Sequence, residues 1–270
     1  MFFGAASPPP SPGNRSCPPF PAFPDSSCTG VPAGYQLSAV GSVTSSGAGQ
    51  VIDGKAVSGD INIEDDNVTV SNSRIKGRVY LNNHTGIILK DVDIGLDACP
   101  SAGNGGYRLV VGDNGYTLIR AHLHHNADDM LSAGGPAPIV IRDSIVEKPC
   151  FYAGDHLDAI QFYDPGATGN VSVTHSIFDV RPINSTDKGN AAFFWADGPQ
   201  GTLLIENSLL AGGGYTVQLR EIDGYTAIVR NNYFVRDSYT WGTHVILDGD
   251  TSRVTWTNNV FSDNLQPVDK

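Results

Sequence analysis

From residue 68 onward one eight-residue phrase of alternating apolar and polar positions recurs along the chain. It reads VTVSNSRI ending at Ile75, IILKDVDI at Ile94, YTLIRAHL at Leu123, IVIRDSIV at Val146, VSVTHSIF at Phe178, LLIENSLL at Leu210, AIVRNNYF at Phe234 and VTWTNNVF at Phe261. Positions 1 and 3 are apolar, position 5 is usually Asn, Asp or His, and position 8 is apolar again. Strand side chains alternate with period two, so the phrase predicts strand, polar corner, strand. Successive copies end 19 to 32 residues apart, a spacing that fits solenoid units and is too short for propeller blades of ~40 residues. The polar fifth position is expected to point inward, each side chain bonding the backbone and its neighbour one turn away. Asn72, Asp91, Asp143, His175, Asn207, Asn231 and Asn258 would fill that ladder, with Arg120 as the exception. These roles are structural, so His175 is not offered as a ligand.

Between the phrases lies a second set of short strands: RVYL at 78 to 81, YRLVV at 107 to 111, DDMLS at 128 to 132, DAIQF at 158 to 162, AAFFW at 191 to 195, YTVQLR at 215 to 220 and THVIL at 243 to 247. Placing Leu109, Val111, Met130, Ile160, Phe162, Phe194, Val217, Leu219, Val245 and Leu247 inside sends the alternate residues out. The outward column then holds Arg78, Tyr80, Arg108, Asp129, Gln161, Trp195, Gln218, Arg220 and His244. Aromatic faces stack on sugar rings, and Arg and Gln bond hydroxyls or carboxylates. The stripe of Tyr80, Arg108, Gln161, Trp195, Gln218, Arg220 and His244 therefore reads as a sugar-binding groove.

A coil of parallel strands with a repeated polar corner resembles the right-handed parallel β-helix of the pectate-lyase superfamily, over roughly residues 50 to 264. The resemblance implies an all-β, right-handed parallel β-helix of about nine turns. Residues 1–34, with most of their Pro between 7 and 34, read as an extended segment leading into a single β-helix domain over 35–270. The superfamily includes lyases, hydrolases, epimerases, adhesins and phage tail proteins, so function must come from the site.

Composition narrows the field. Seventeen Lys and Arg against 28 Asp and Glu give a net charge of −11, which repels nucleic acid and anionic membranes. No apolar run approaches the ~18 residues of a membrane helix. Gly is abundant, at 31 of 270 residues, and charged residues make up only 17%, which excludes coiled coil, helical bundle and disorder. The four cysteines have no zinc-type CxxC spacing and suit two disulfides, Cys17 to Cys28 and Cys99 to Cys150, in a secreted protein.

Candidate chemistry gathers in two segments offset by 30 residues, Asn126-Ala-Asp128-Asp129-Met130 and His156-Leu-Asp158-Ala159-Ile160. This offset stacks Asp128 on Asp158, with Asp129 and Asp155 close enough to join. Stacked carboxylates repel, so one holds a proton or a cation sits between them. Asp128, Asp129, Asp155 and Asp158 are thus a candidate calcium site. His122, His124 and His125 are expected to diverge at a bend, leaving only His125 as a peripheral candidate. With His156 as base, Asp158, Asp128 and Asp129 beside it, and Arg108 and Arg220 to neutralise charge, the residues point to a polysaccharide lyase or C5 epimerase acting on an acidic polysaccharide. A glycoside hydrolase using paired Asp is the first alternative. The Gly-His-Gly and Arg-x-Lys segments of the superfamily's polygalacturonases are missing. A non-catalytic carbohydrate-binding, adhesin or phage-tail-type module is the second alternative.

Overall fold

The computed structural model describes residues 15–101, 108–162 and 168–270. Every turn contributes one short strand to each of three faces, and all strand pairs between turns are parallel. Face one carries the first half of the phrase, nine strands running from Val51–Asp53 to Val254–Thr257. Face two carries the second half, ten strands from Ser38–Val40 to Val260–Phe261. Face three is split into a four-stranded sheet ending at Val110–Val111 and a five-stranded sheet from Leu131–Ala133 to Gly242–Ile246. No α-helix occurs among the described residues. The chain is an all-β parallel β-helix, and the described residues hold no helix long and apolar enough to cross a membrane. The phrase makes this fold because its apolar positions stack in files inside the coil. Val70, Leu89, Leu118, Ile141, Val173, Ile205 and Val229 form one such file on face one, each wholly buried.

The corner differs from expectation by one residue. Position five does not point inward: Asn72, Asp91, Arg120, Asp143, His175, Asn207, Asn231 and Asn258 all take left-handed backbone, with φ between 45° and 55° or close to it. That conformation is what turns the chain from face one to face two, and Asn and Asp adopt it at least cost. Their side chains meet on the outside of the coil, as in the Arg120–Asp91 pair at 2.7 Å and the His175–Asp143 pair at 2.6 Å. The inward ladder belongs to position six. The backbone N–H groups of Ser144, Ser176, Ser208 and Asn232 donate in turn to the side chains of Ser176, Ser208, Asn232 and Asn259, at 2.9 to 3.2 Å.

The described part of the Pro-rich segment does not run free of the coil; residues 1–14 lie outside the described residues. From Arg15 to Gly30 it forms a loop closed by the Cys17–Cys28 disulfide and by the Arg15 guanidinium, which donates to the carbonyls of Ser27, Thr29 and Gly30. The loop lies along the outer corner of faces one and two. Gly30 N–H donates to the Arg120 carbonyl, and Phe20 and Phe23 pack edge-on against Tyr233. The second disulfide, Cys99–Cys150, joins two loops on the approach to face three, and no cysteine is free.

Candidate active site

The five-stranded part of face three fixes which residues can meet. Leu131, Ile160, Phe193, Val217 and His244 share one row, and Ala133, Phe162, Trp195, Leu219 and Ile246 another. Both rows point into the coil. Trp195 is therefore wholly buried against Phe162, at 5.4 Å between ring centroids, and offers no face to a sugar. The outward place falls to Phe194, one residue earlier, because Asp158 pairs with Ala191. The same shift turns His244 inward, stacked 4.1 Å from Trp256 at the end of the coil, where burial pushes its pKa down to about 4. Val245 and Leu247, expected inside, take the outward parity. Tyr80 sits in the four-stranded sheet beside Arg78, in a row with Asn62 and Val111. Tyr80 alternates with the buried Val79 and Leu81 and so keeps the outward parity, whereas the rows do not bring His244 onto the outer surface with His156.

The register pairs Leu131 with Ile160, an offset of 29, so the stacked carboxylates are Asp129 and Asp158 rather than Asp128 and Asp158. Asp129 accepts the backbone N–H of Asp158 at 2.8 Å and the guanidinium of Arg108 at 3.1 Å, while Arg108 also donates to Ser132. Asp128 occupies a left-handed turn at φ 69°, and Asp155 accepts the backbone N–H of Tyr152. Neither belongs to the compact group formed by Asp129, His156 and Asp158.

Asp158 is fully buried and accepts hydrogen bonds from Asn190 Nδ2 at 2.8 and 3.1 Å, with His156 Nδ1 2.8 Å from its Oδ2. Leu157 between them adopts φ 46°, uncommon for a residue with a Cβ, in the turn that joins the two side chains. Half of the His156 side chain remains exposed. A chain of contacts then closes on itself. Asn190 accepts from Gln218 Nε2, Gln218 Oε1 accepts from Arg220 at 2.8 Å, Arg220 lies 5.7 Å from the Phe194 ring, and Phe194 meets His156 edge-on at 5.1 Å. Gln161 shares this row with Phe194 and Gln218, but Gln218, expected in an open groove, is buried with its side chain spent on Asn190 and Arg220. Arg220 has no ion-pair partner among the described residues, and its Nε is buried without a hydrogen-bond acceptor.

The electrostatics follow from burial and contact. Burial pushes Asp158 up to about 7, reinforced by the Asp129 charge and opposed by the His156 and Asn190 donors. His156 is raised by its hydrogen bond to Asp158, burial opposing, with the nearby Asp charges adding to the rise. Burial also raises Asp129. With Nδ1–H committed to Asp158, Nε2 is the nitrogen left to accept a proton.

Calcium takes six to eight oxygen ligands. The compact group provides two carboxylates already committed to Arg108, Asn190 and a backbone N–H, together with an imidazole, which is not a calcium cage. Asn190 was not singled out by sequence and Phe194 was placed in the core, although aligning GNAAFFW under HLDAIQF places Phe194 beneath Gln161.

The chain matches no known family description and no curated protein. Among solved structures, QnrB1 (full length), a plasmid-mediated fluoroquinolone resistance protein, aligns at 11% identity over 84% of this chain and 94% of that one. The TM-score is 0.15, too low to carry any argument.

Proposed function

We propose that the His156 face removes a proton from carbon in the uronic-acid units of an acidic polysaccharide, making the protein a polysaccharide lyase. The observation that carries this reading is the buried Asp158 holding Nδ1 of a half-exposed His156, which leaves Nε2 as a base. His156 Nε2 would take the proton α to the uronate carboxylate. The electron pair left behind delocalises into that carboxylate, for which Arg220 is the cation without a carboxylate of its own among the described residues. Expulsion of the glycosidic oxygen at the adjacent carbon then forms the double bond, and the imidazolium returns its proton to the departing oxygen. One proton carrier suffices for this elimination. C5 epimerisation by the same base would need a second acid on the opposite face of the ring. A hydrolase is less well supported, because the stacked carboxylates are both buried and cannot flank a glycosidic bond in open groove.

Two disulfides fit an oxidising, extracellular setting for such a substrate. A net charge of −11 favours a second reading, a secreted module that binds neutral carbohydrate without turning it over. A panel of acidic and neutral polysaccharides, followed by ultraviolet absorbance of unsaturated uronate and by reducing ends, separates the readings. Absorbance that rises with the wild type and not with His156→Ala supports the lyase. Reducing ends alone support a hydrolase, and binding with neither signal supports the module.

A further inference from the structure

On face two, away from His156, the strands Asp93–Gly95 and His122–His124 pair so that Asp93 lies beside His122. His122 and His124 are two apart on one strand and share its outer side, with ring centroids 4.5 Å apart. The expected divergence of these histidines does not occur, since the bend begins only at His125, where φ is 54°. His122 Nδ1 is 3.2 Å from Asp93 Oδ2, and its Nε2 is 3.2 Å from Glu147 Oε1. His124 Nε2 is 3.4 Å from Asp93 Oδ1, and its Nδ1 is 2.5 Å from His125 Nδ1.

Proton counting makes this arrangement informative. Carboxylates only accept, and a neutral imidazole has a single N–H. If His122 gives its N–H to Glu147, its Nδ1 lone pair faces Asp93. If His124 gives its N–H to His125, its Nε2 lone pair faces the same carboxylate. With those tautomers three electron-rich groups converge, and a bound cation satisfies all three; the competing arrangement is a doubly protonated His122 that donates to both Asp93 and Glu147. Metal bonds of 2.0–2.1 Å in tetrahedral geometry place neighbouring ligand atoms about 3.3 Å apart. His122 Nδ1 lies 3.2 Å from one Asp93 oxygen and His124 Nε2 lies 3.4 Å from the other, both close to that spacing, and one ligand atom from each of the three residues lies within 4.8 Å of the other two.

We infer that Asp93, His122 and His124 form a binding site for a divalent transition-metal ion of the zinc type, with one coordination position left open. Glu147 completes it as the acceptor that fixes the His122 tautomer, the usual partner of a ligating histidine. Lys148 in turn holds Glu147 at 2.7 Å. Two imidazoles and one carboxylate suit zinc or a neighbouring first-row metal and disfavour calcium and magnesium. The N-terminal loop fits around the site, because a Cβ at Gly30 would stand 3.5 Å from Asp93 Oδ2 and from His122 Cβ. Arg74 approaches Asp93 at 3.6 Å but is more than half exposed and free to swing aside.

The test is titration of chelator-treated full-length protein with Zn²⁺ by calorimetry and with Co²⁺ by visible absorption. One equivalent should bind, with a tetrahedral-type cobalt spectrum. His122→Ala and His124→Ala should each weaken binding at least 100-fold, Glu147→Gln by about 10- to 100-fold, and Arg74→Ala not at all. Urea midpoints of the metal-free variants check folding, and His124→Gln, which keeps bulk without the imidazole, serves if His124→Ala is unfolded. His156→Ala should bind Zn²⁺ as the wild type does, which keeps this site distinct from the Asp129–His156–Asp158 group. Absence of saturable one-to-one binding overturns the inference. So does binding that survives His122→Ala, or that is lost with His156→Ala.

Discussion

Replacing Asn232 by Ala tests the corner ladder directly. Asn232 is wholly buried, its Oδ1 accepts the Ser208 N–H at 2.9 Å, and its Nδ2 donates to the Ile205 carbonyl at 2.9 Å and to Asn259 Oδ1 at 3.1 Å. Truncation leaves the Ser208 N–H without an acceptor inside the coil, at a cost of about 1–3 kcal/mol, and two acceptors lose one donor each. Asn259 Oδ1 keeps the Asn232 backbone N–H, so the total is roughly 2–4 kcal/mol. The neighbouring Asn231 is the control. Its contribution is the left-handed turn at φ 56° together with an outer contact to Asn258 at 3.2 Å. Asn231→Ala should therefore cost about 1–2 kcal/mol and Asn231→Gly little. Urea unfolding, read as midpoint shifts at constant slope, gives both numbers. If Asn231→Ala proves the more damaging of the two, position five and not position six carries the ladder, and the reasoning fails.

Because the Asp158 contact raises the His156 pKa, the imidazole stays protonated to higher pH than an ordinary histidine. The base form appears only as pH rises through that raised value, so the acid limb of kcat/KM should have its midpoint above ~6.5. Asp158→Asn should move that limb downward and slow turnover by roughly 10²- to 10⁴-fold; an unmoved limb would assign it to another group. Phe194→Ala should weaken substrate binding by about 1 kcal/mol, whereas Trp195→Ala should act on stability, by about 3–5 kcal/mol in urea unfolding. On the proposal that Arg220 neutralises the uronate carboxylate, EGTA should leave turnover unchanged; activity lost to EGTA and restored by Ca²⁺ would contradict this.

The coil was legible in the sequence because its signal is repeated: eight copies of one phrase specify two faces and the corner between them. The corner was misread by one place because positions five and six are both polar in most copies. Gly54, at φ 65° in the equivalent corner after Val51–Asp53, was the clue that the turning residue needs left-handed backbone and not an inward side chain. Face three was harder, since its strands are separated from the phrases by loops of varying length. Parity there rests on apolar alternation alone, and AAFFW supports either parity because both offer large apolar residues to the core. His156 and Asp158 were found together because they lie two apart in the chain. Asn190 needed the register, and the His122–Asp93 contact needed two strands 29 residues apart to pair.

The two polar corners of this coil differ in the charge they bury. Between faces one and two, buried backbone groups are satisfied by Ser144, Ser176, Ser208, Asn232 and Asn259, all neutral and all buried. Neutral hydroxyls and amides carry little desolvation penalty, so they suffice where only the backbone must be bonded. At the start of face three the chain instead buries two carboxylates one turn apart, each of which costs several kcal/mol to remove from water. Arg108, Asn190 and a backbone N–H offset part of that cost without removing the mutual repulsion of Asp129 and Asp158. A corner that needed only hydrogen bonds could have used Ser or Asn here as it does elsewhere. What the carboxylates add is charge directed at one imidazole, and the half-exposed His156 is the group through which that charge reaches the surface.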